Sequence, residues 1–345
     1  MSNTPRQGEA QDISVLLVFF TRYRQFSEVF EAVRRAKPSR LFLFQDGPRP
    51  GNPDDPEGIR KCREIAESVD WECEVFRNYN EKNLGPDEAG YRADVWAFSH
   101  TDKCIVLEDD VLPSDTFIPF CREMLDRYEN DPEVMLISGF NPMEKTPEVK
   151  EDILFTSATF TWGWASWKRV VDGWDEKYSW LDDPAKVSAV QSYADSHGVM
   201  KNLVNICRKH REKGYPHFET VLISNQYLRG GLTLSPKVNM ISNIGVVKGA
   251  AHYQDDISLI PKGYRRLFTM GRYDLDTSGI KCPEGISEYT PYREKTYRIY
   301  GWGHPFVKLW RFLEGSFYQI RAGNAGYVWK DFKDKIRNVF YRLNT

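Results

Sequence analysis

Apolar and polar positions fall into blocks along the first third of the chain, and the period switches from block to block. Residues 13–20 form a continuous β-rich apolar run, which suits a strand covered on both faces. Over 24–37 the apolar residues Phe26, Val29, Phe30 and Val33 recur at helical spacing, and Pro38 stops the pattern. A second apolar strand, 41–44, runs into the turn-rich Gln45-Asp46-Gly47-Pro48. A helix over 56–68, an alternating strand over 71–77 and a helix over 88–99 follow. The apolar strand 104–107 then ends directly on Glu108, Asp109 and Asp110. This alternation predicts an α/β fold with a largely parallel sheet and helices on both faces.

Beyond Val111 the pattern loosens. It predicts a helix over 115–129 and an apolar strand over 134–138. The aromatic segment Phe160-Thr161-Trp162-Gly163-Trp164-Ala165-Ser166-Trp167 leads to two helices between 184 and 213. A helix over 219–229 is closed by Gly230-Gly231, and 235–249 reads as short strands and loops. After about Arg293 many aromatics, among them Trp302, Phe306, Trp310, Phe312, Trp329, Phe332 and Phe340, are interleaved with a surplus of Lys and Arg.

Composition narrows the class. A chain of 345 residues can bury one large α/β core, or a core and an appendage. A net charge of -2 gives no reason to expect nucleic acid as a partner. Residues 1–12 are polar and lack the apolar core of a secretory signal, and the apolar run 15–20 is too short to cross a bilayer. Six cysteines without CxxC spacing are expected to be reduced, mostly buried thiols, which points to the cytoplasm.

Ligands of open α/β sheets bind beyond the carboxyl ends of the strands, where Asp46 and the acids 108–110 both fall. Two carboxylates about 4 Å apart repel by roughly 4 kcal/mol at an effective dielectric near 20. A hard divalent ion, Mn²⁺ or Mg²⁺, relieves that repulsion and leaves positions open for a diphosphate. Acids at a helix start, favoured by the dipole, are the plainer explanation. The buried strand directly before them favours the metal.

Leu107-Glu108-Asp109-Asp110-Val111 resembles the DXD-type motif of GT-A glycosyltransferases, in the Glu-Asp-Asp form of the N-acetylglucosaminyltransferase I-like group and its bacterial relatives. Four further segments resemble the same family in order: Phe44-Gln45-Asp46-Gly47-Pro48-Arg49, Asn83-Leu84-Gly85, the Trp-rich run through Lys168-Arg169, and 236–245 with a following His. The resemblance spans 13–252. It implies a Rossmann-like mixed, mainly parallel sheet with flanking helices, with a helical or irregular C-terminal tail outside it. The implied organisation is a disordered segment 1–12, a catalytic domain 13–252 and an extension 253–345.

The same resemblance implies that Asp110 binds the metal directly and Asp109 supports its shell. Glu108 would contact the donor ribose or sugar, and Asp46 the uracil N–H. Thr21, Arg22 and Asn83 would lie beside the nucleotide, which would be a UDP-sugar, and His252 would be a second metal ligand. For the base that takes the acceptor proton, Glu219 stands where bacterial relatives have an Asp, with Asp175 in reserve. Asp46 could equally be an ordinary Asp-Gly turn residue, and Glu219 an acid placed by a helix dipole. Trp162, Trp164 and Trp167 could stack on a saccharide acceptor or be plain core. The basic, aromatic tail fits either a peripheral contact with the inner face of the cell membrane, where a lipid-linked acceptor would sit, or helices packed over the catalytic domain. Two other functions share this frame. A sugar-1-phosphate nucleotidyltransferase usually needs a Gly-rich phosphate loop, and Phe19-Phe20-Thr21-Arg22-Tyr23-Arg24 has no glycine. A non-catalytic carbohydrate-binding protein on the same fold is the other.

Overall fold

Strand β1 (Gln11–Phe19) is the spine of the sheet, and its side chains from Ile13 to Leu17 are at most 3% exposed. The computed structural model describes residues 11–193, 197–246 and 257–326, with 328, 329 and 333. Within it β1 pairs in parallel with β2 (Pro38–Gln45) on one side and β4 (Lys103–Glu108) on the other, and β2 pairs in parallel with β3 (Glu74–Tyr79). Helices α1 (Tyr23–Ala36), α2 (Asp55–Ala66) and α3 (Pro86–His100) make the three crossovers. At the end of α1, Lys37 adopts a left-handed conformation (φ 48°), and Pro38 opens the next strand. The short β5 (Val111–Pro113) and α4 (Phe117–Arg127) follow the acids.

The second half of the sheet is mixed. Strand β8 (Trp164–Trp167) inserts antiparallel between β4 and β6 (Val134–Ser138), β9 (Leu232–Pro236) pairs in parallel with β6, and β7 (Ile153–Thr156) closes the edge antiparallel to β9. The eight-stranded order is β3-β2-β1-β4-β8-β6-β9-β7. A separate ribbon pairs β10 (Ile241–Asn243) with β5. Helices α5 (Lys168–Val171), α6 (Pro184–Ser192), α7 (His197–Lys213) and α8 (Phe218–Leu228) lie between β8 and β9 in sequence. The fold is therefore the expected mixed, mainly parallel α/β sheet with flanking helices.

One core unites the two halves. Leu16, Phe42, Phe44 and Val106 meet Leu136 and Trp164 from the far strands, and the small Ala93 and Ala97 let α3 lie close against them. All six cysteines are free thiols, four of them buried.

The chain divides into two compact units: residues up to Gly245 together with Gly271–Thr296, and Val246–Met270 together with Tyr297 onward. This differs from a single cut at residue 253, because 271–296 returns to the first unit. There Tyr273 N donates to Asn239 O (2.8 Å), Lys281 N donates to Asp152 Oδ2 (2.9 Å), and the buried Tyr292 hydroxyl bonds Ser235 Oγ (3.0 Å). In the second unit α9 (Lys262–Thr269) packs on α11 (Pro305–Arg321). The Arg311 guanidinium lies 4.3 Å over the Tyr264 ring, and Arg265 lies 5.5 Å over Tyr318. Helix α10 (Thr290–Tyr300) begins in the first unit and ends in the second. Among the described residues no helix is long and apolar enough to cross a membrane.

Candidate functional site

The carboxyl ends of β1, β2 and β4 lie side by side, so their outgoing turns share one rim of the sheet. Strand β4 leads into Glu108, half-buried, and the buried Asp109 and Asp110. Three crowded acids demand positive partners, and the turn after β1 supplies them. Phe20 N donates to Asp109 Oδ2 (3.1 Å), and Arg22, one residue before α1, reaches both Asp109 (3.4 Å) and Asp110. Burial opposes the charge on Arg22, but Asp109, Asp110 and Glu108 outweigh it and raise its pKa. Burial, then Asp110 and Asp109, then Glu219 hold the Glu108 carboxyl well above its ordinary range, with Arg22 countering. Burial and Asp110 likewise raise Asp109.

The ribbon of β5 and β10 closes the far side. Ile244 N donates to Asp110 O (2.8 Å), and a Cβ on Gly245 would collide with the Asp110 carboxylate. Only glycine leaves that carboxylate its place. His252, expected as a further ligand, lies outside the described residues. Among the described residues no three or more His, Cys, Asp or Glu side chains gather as a metal cluster. The available donors are the carboxylates of Asp109 and Asp110, hard oxygens that Arg22 holds. A pair of carboxylates completed by substrate phosphates and water is a normal Mg²⁺-type site, so the donor set fits.

At the end of β2, Asp46 is 6% exposed, and its carboxylate is taken up by the chain itself. Oδ1 accepts from Gly47 N (2.9 Å) and Leu84 N (2.9 Å), while Oδ2 accepts from Asn83 Nδ2 (2.8 Å) and Gly85 N (3.0 Å). Asn83 also donates to Gly47 O (2.8 Å), and a Cβ on Gly47 would meet the Lys82 backbone at 2.5 Å. Asp46 thus pins the 82–85 loop to β2, and its pKa rises because burial outweighs these N–H bonds. Asp46→Ala should cost roughly 3 kcal/mol of stability by orphaning buried donors, read from the urea midpoint. Unchanged stability with weakened nucleotide affinity would instead assign Asp46 to the base alone.

Glu219 stands in the first turn of α8, exposed yet close enough to act electrostatically on Glu108. Thr161 Oγ1 donates to Glu219 Oε1 (3.5 Å), so the Trp-rich segment and Glu219 come together. The residue before α8, His217, bonds Asp87 in the first turn of α3 (3.1 Å), and Phe218 lies against Gly90. These contacts anchor the start of α8 beside the 82–85 loop. Asp175, the reserve candidate, accepts from Lys177 N (3.1 Å), Ser179 Oγ (2.7 Å) and Trp180 N (3.3 Å), and so closes a local turn.

The three tryptophans separate. Trp164 and Trp167 are 1% and 2% exposed: Trp164 stacks near Phe98, and Trp167 Nε1 donates to Leu125 O (3.1 Å). They are core, because β8 lies mid-sheet with both faces covered, and the stacking role expected of them falls away. Trp162 alone is partly exposed, edge-on to Phe140 at 4.7 Å. Thr21 packs beside Gly58, whose missing side chain makes room for it.

Sequence reasoning missed Gln45, Thr161, Asp87 and His217. Fully buried, Gln45 donates to Phe20 O (2.9 Å) and Ile59 O (3.1 Å) and accepts from Arg63 Nε (2.7 Å), which fixes the β1 turn. A polar residue closing an apolar strand was the available signal. A cleft of about 800 Å³ opens beside this rim, lined by Pro48, Ile59, Arg60, Arg63, Tyr79 and Asn80, among others.

No family model and no curated protein matches the sequence. Partial likenesses exist among solved structures. A mannosyltransferase from Pyrobaculum calidifontis, solved with GDP-Man and Mn²⁺, is 12% identical over 65% of this chain and 72% of its own, with a TM-score of 0.35. A UDP-glucose pyrophosphorylase complexed with UDP-glucose is 7% identical over 70% and 96% (TM-score 0.32), and mouse xyloside xylosyltransferase 1 is 10% identical over 64% and 81% (TM-score 0.31). Overlaps this partial name no family for the chain.

Proposed function

We propose that the chain is a metal-dependent glycosyltransferase that takes its sugar from a nucleotide-sugar, a UDP-sugar in the first instance. The observation that carries this reading is the meeting of three elements: the buried acids at the end of β4, Arg22 from the end of β1, and Glu219 from the start of α8. Asp109 and Asp110 would hold Mn²⁺ or Mg²⁺, with His252 as a further ligand, and the ion would neutralise the diphosphate. Arg22, already at the carboxylates, supplies a second positive charge for the leaving group. The 82–85 loop and the β1 turn, held by Asp46 and Gln45, shape the nucleoside side.

Glu219 takes the proton of the acceptor hydroxyl. The acceptor oxygen then bonds to the anomeric carbon, and the bond from that carbon to the diphosphate oxygen breaks, the electron pair leaving with the nucleoside diphosphate. Transfer by a single displacement inverts the anomeric centre. Trp162 and Thr161 border the acceptor side, where a saccharide, free or lipid-linked, would lie, and the cytoplasm is the compartment.

A thermal-shift screen over nucleotide-sugars tests the reading. A UDP-sugar with Mn²⁺, at about 100 times its Kd, should raise the Tm by roughly 5 °C. No shift from any nucleotide-sugar with or without metal would overturn it. Pyrophosphate release from a nucleoside triphosphate and a sugar-1-phosphate would make the chain a nucleotidyltransferase instead.

A further inference from the structure

Helix α11 is packed the unusual way round. Phe306, Leu309, Trp310, Leu313, Phe317 and Ile320 fall at i, i+3, i+4, i+7, i+11 and i+14, one stripe of an α-helix, and each is between 53% and 84% exposed. The opposite side meets the rest of its unit through polar groups. Gln319 is 4% exposed, Arg311 covers Tyr264, Lys262 N donates to Glu314 Oε2 (3.3 Å) and Gly315 faces Pro261. Amphipathic helices ordinarily bury the apolar stripe. Among the described residues nothing covers this one, and single-sided apolar patches of this kind mark interaction surfaces.

Charge says what would cover it. The second unit carries 13 Lys and Arg against 5 Asp and Glu, a net +8, while the whole chain is at -2. The rest of the chain is therefore near -10. Arg321, four residues after Phe317, is exposed on the same side of α11, so a cation stands beside the stripe at its end. A second copy would bring +8 against +8, which opposes self-association through this unit. An anionic bilayer meets both demands: its phosphates pair with Lys and Arg, and its interface accepts Trp and Phe side chains.

We infer that the exposed face of α11 is a docking surface for an anionic phospholipid membrane, on which the helix lies in the interface without crossing. Membrane binding stands independently of the transferase reading, since it needs neither nucleotide nor metal.

Co-sedimentation of the full chain with vesicles, in the absence of nucleotide and metal, tests this. Vesicles with 30% phosphatidylglycerol in phosphatidylcholine should pull down the protein, and pure phosphatidylcholine vesicles should bind it far less. Binding should weaken in high salt. The double variant Trp310→Ser, Phe317→Ser removes two exposed side chains, so its melting curve should match the wild type while its partition coefficient falls about tenfold or more. The inference is overturned if the wild type stays in the supernatant with anionic vesicles, or if the folded double variant binds them equally well. It is also overturned if the wild type elutes as a dimer that the variant converts to a monomer.

Discussion

Asp110→Ala is expected to abolish metal-dependent nucleotide binding. In the wild type, calorimetry should show UDP binding that strengthens sharply when Mn²⁺ is present. In the variant that strengthening should vanish, an apparent loss of the order of 100-fold or more. The carboxylate sits between Arg22 and the Gly245 backbone. Removing it also leaves Arg22 with Asp109 as its ion-pair partner and Glu108 as the only other nearby acid acting on it among the described residues. A mild gain or small loss of stability accompanies the change, because one of several crowded carboxylates has gone. Equal UDP affinity in the wild type with and without Mn²⁺ would remove the metal from the reading, whatever the variant does.

Glu219→Gln is expected to separate binding from transfer. The amide keeps the shape of the side chain and can keep the Thr161 contact, but it cannot take a proton. Donor affinity should stay near the wild-type value while turnover falls about 10²- to 10⁴-fold, the range for losing a general base. Steady-state turnover with a saccharide acceptor, set beside UDP calorimetry, measures both. Near-wild-type turnover would take Glu219 out of the base role. Asp175 would not inherit it, since its oxygens already hold Lys177, Ser179 and Trp180.

Much of the sheet was legible because apolar strands bounded by turns leave a clear trace. The apolar runs at 13–20 and 134–138 fall on β1 and β6, and the acids emerge directly at the end of β4. Strand β7 and the strand character of β8 were not legible. Both are four-residue runs buried at every position, so they show neither alternation nor helical period. β8 also enters the sheet between β4 and β6, a placement set by long-range pairing that no local pattern announces. For that reason the three tryptophans read alike in sequence but divide in space. The acids and Asp46 could be placed on one rim from strand order alone. Which of their oxygens were already occupied could not, because Arg22, Leu84 and Gly85 reach them across tens of residues.

Arg22 has a consequence for the life of the chain. An acidic cluster that depended on a bound ion for neutrality would leave the nascent protein hostage to metal supply. Here the arginine is encoded 87 and 88 residues ahead of the two carboxylates it meets, so the counter-charge is synthesised first and is waiting when they arrive. On the proposed reading, assembly of the domain and loading of Mn²⁺ would then be separate events, with the folded protein formed before the ion binds.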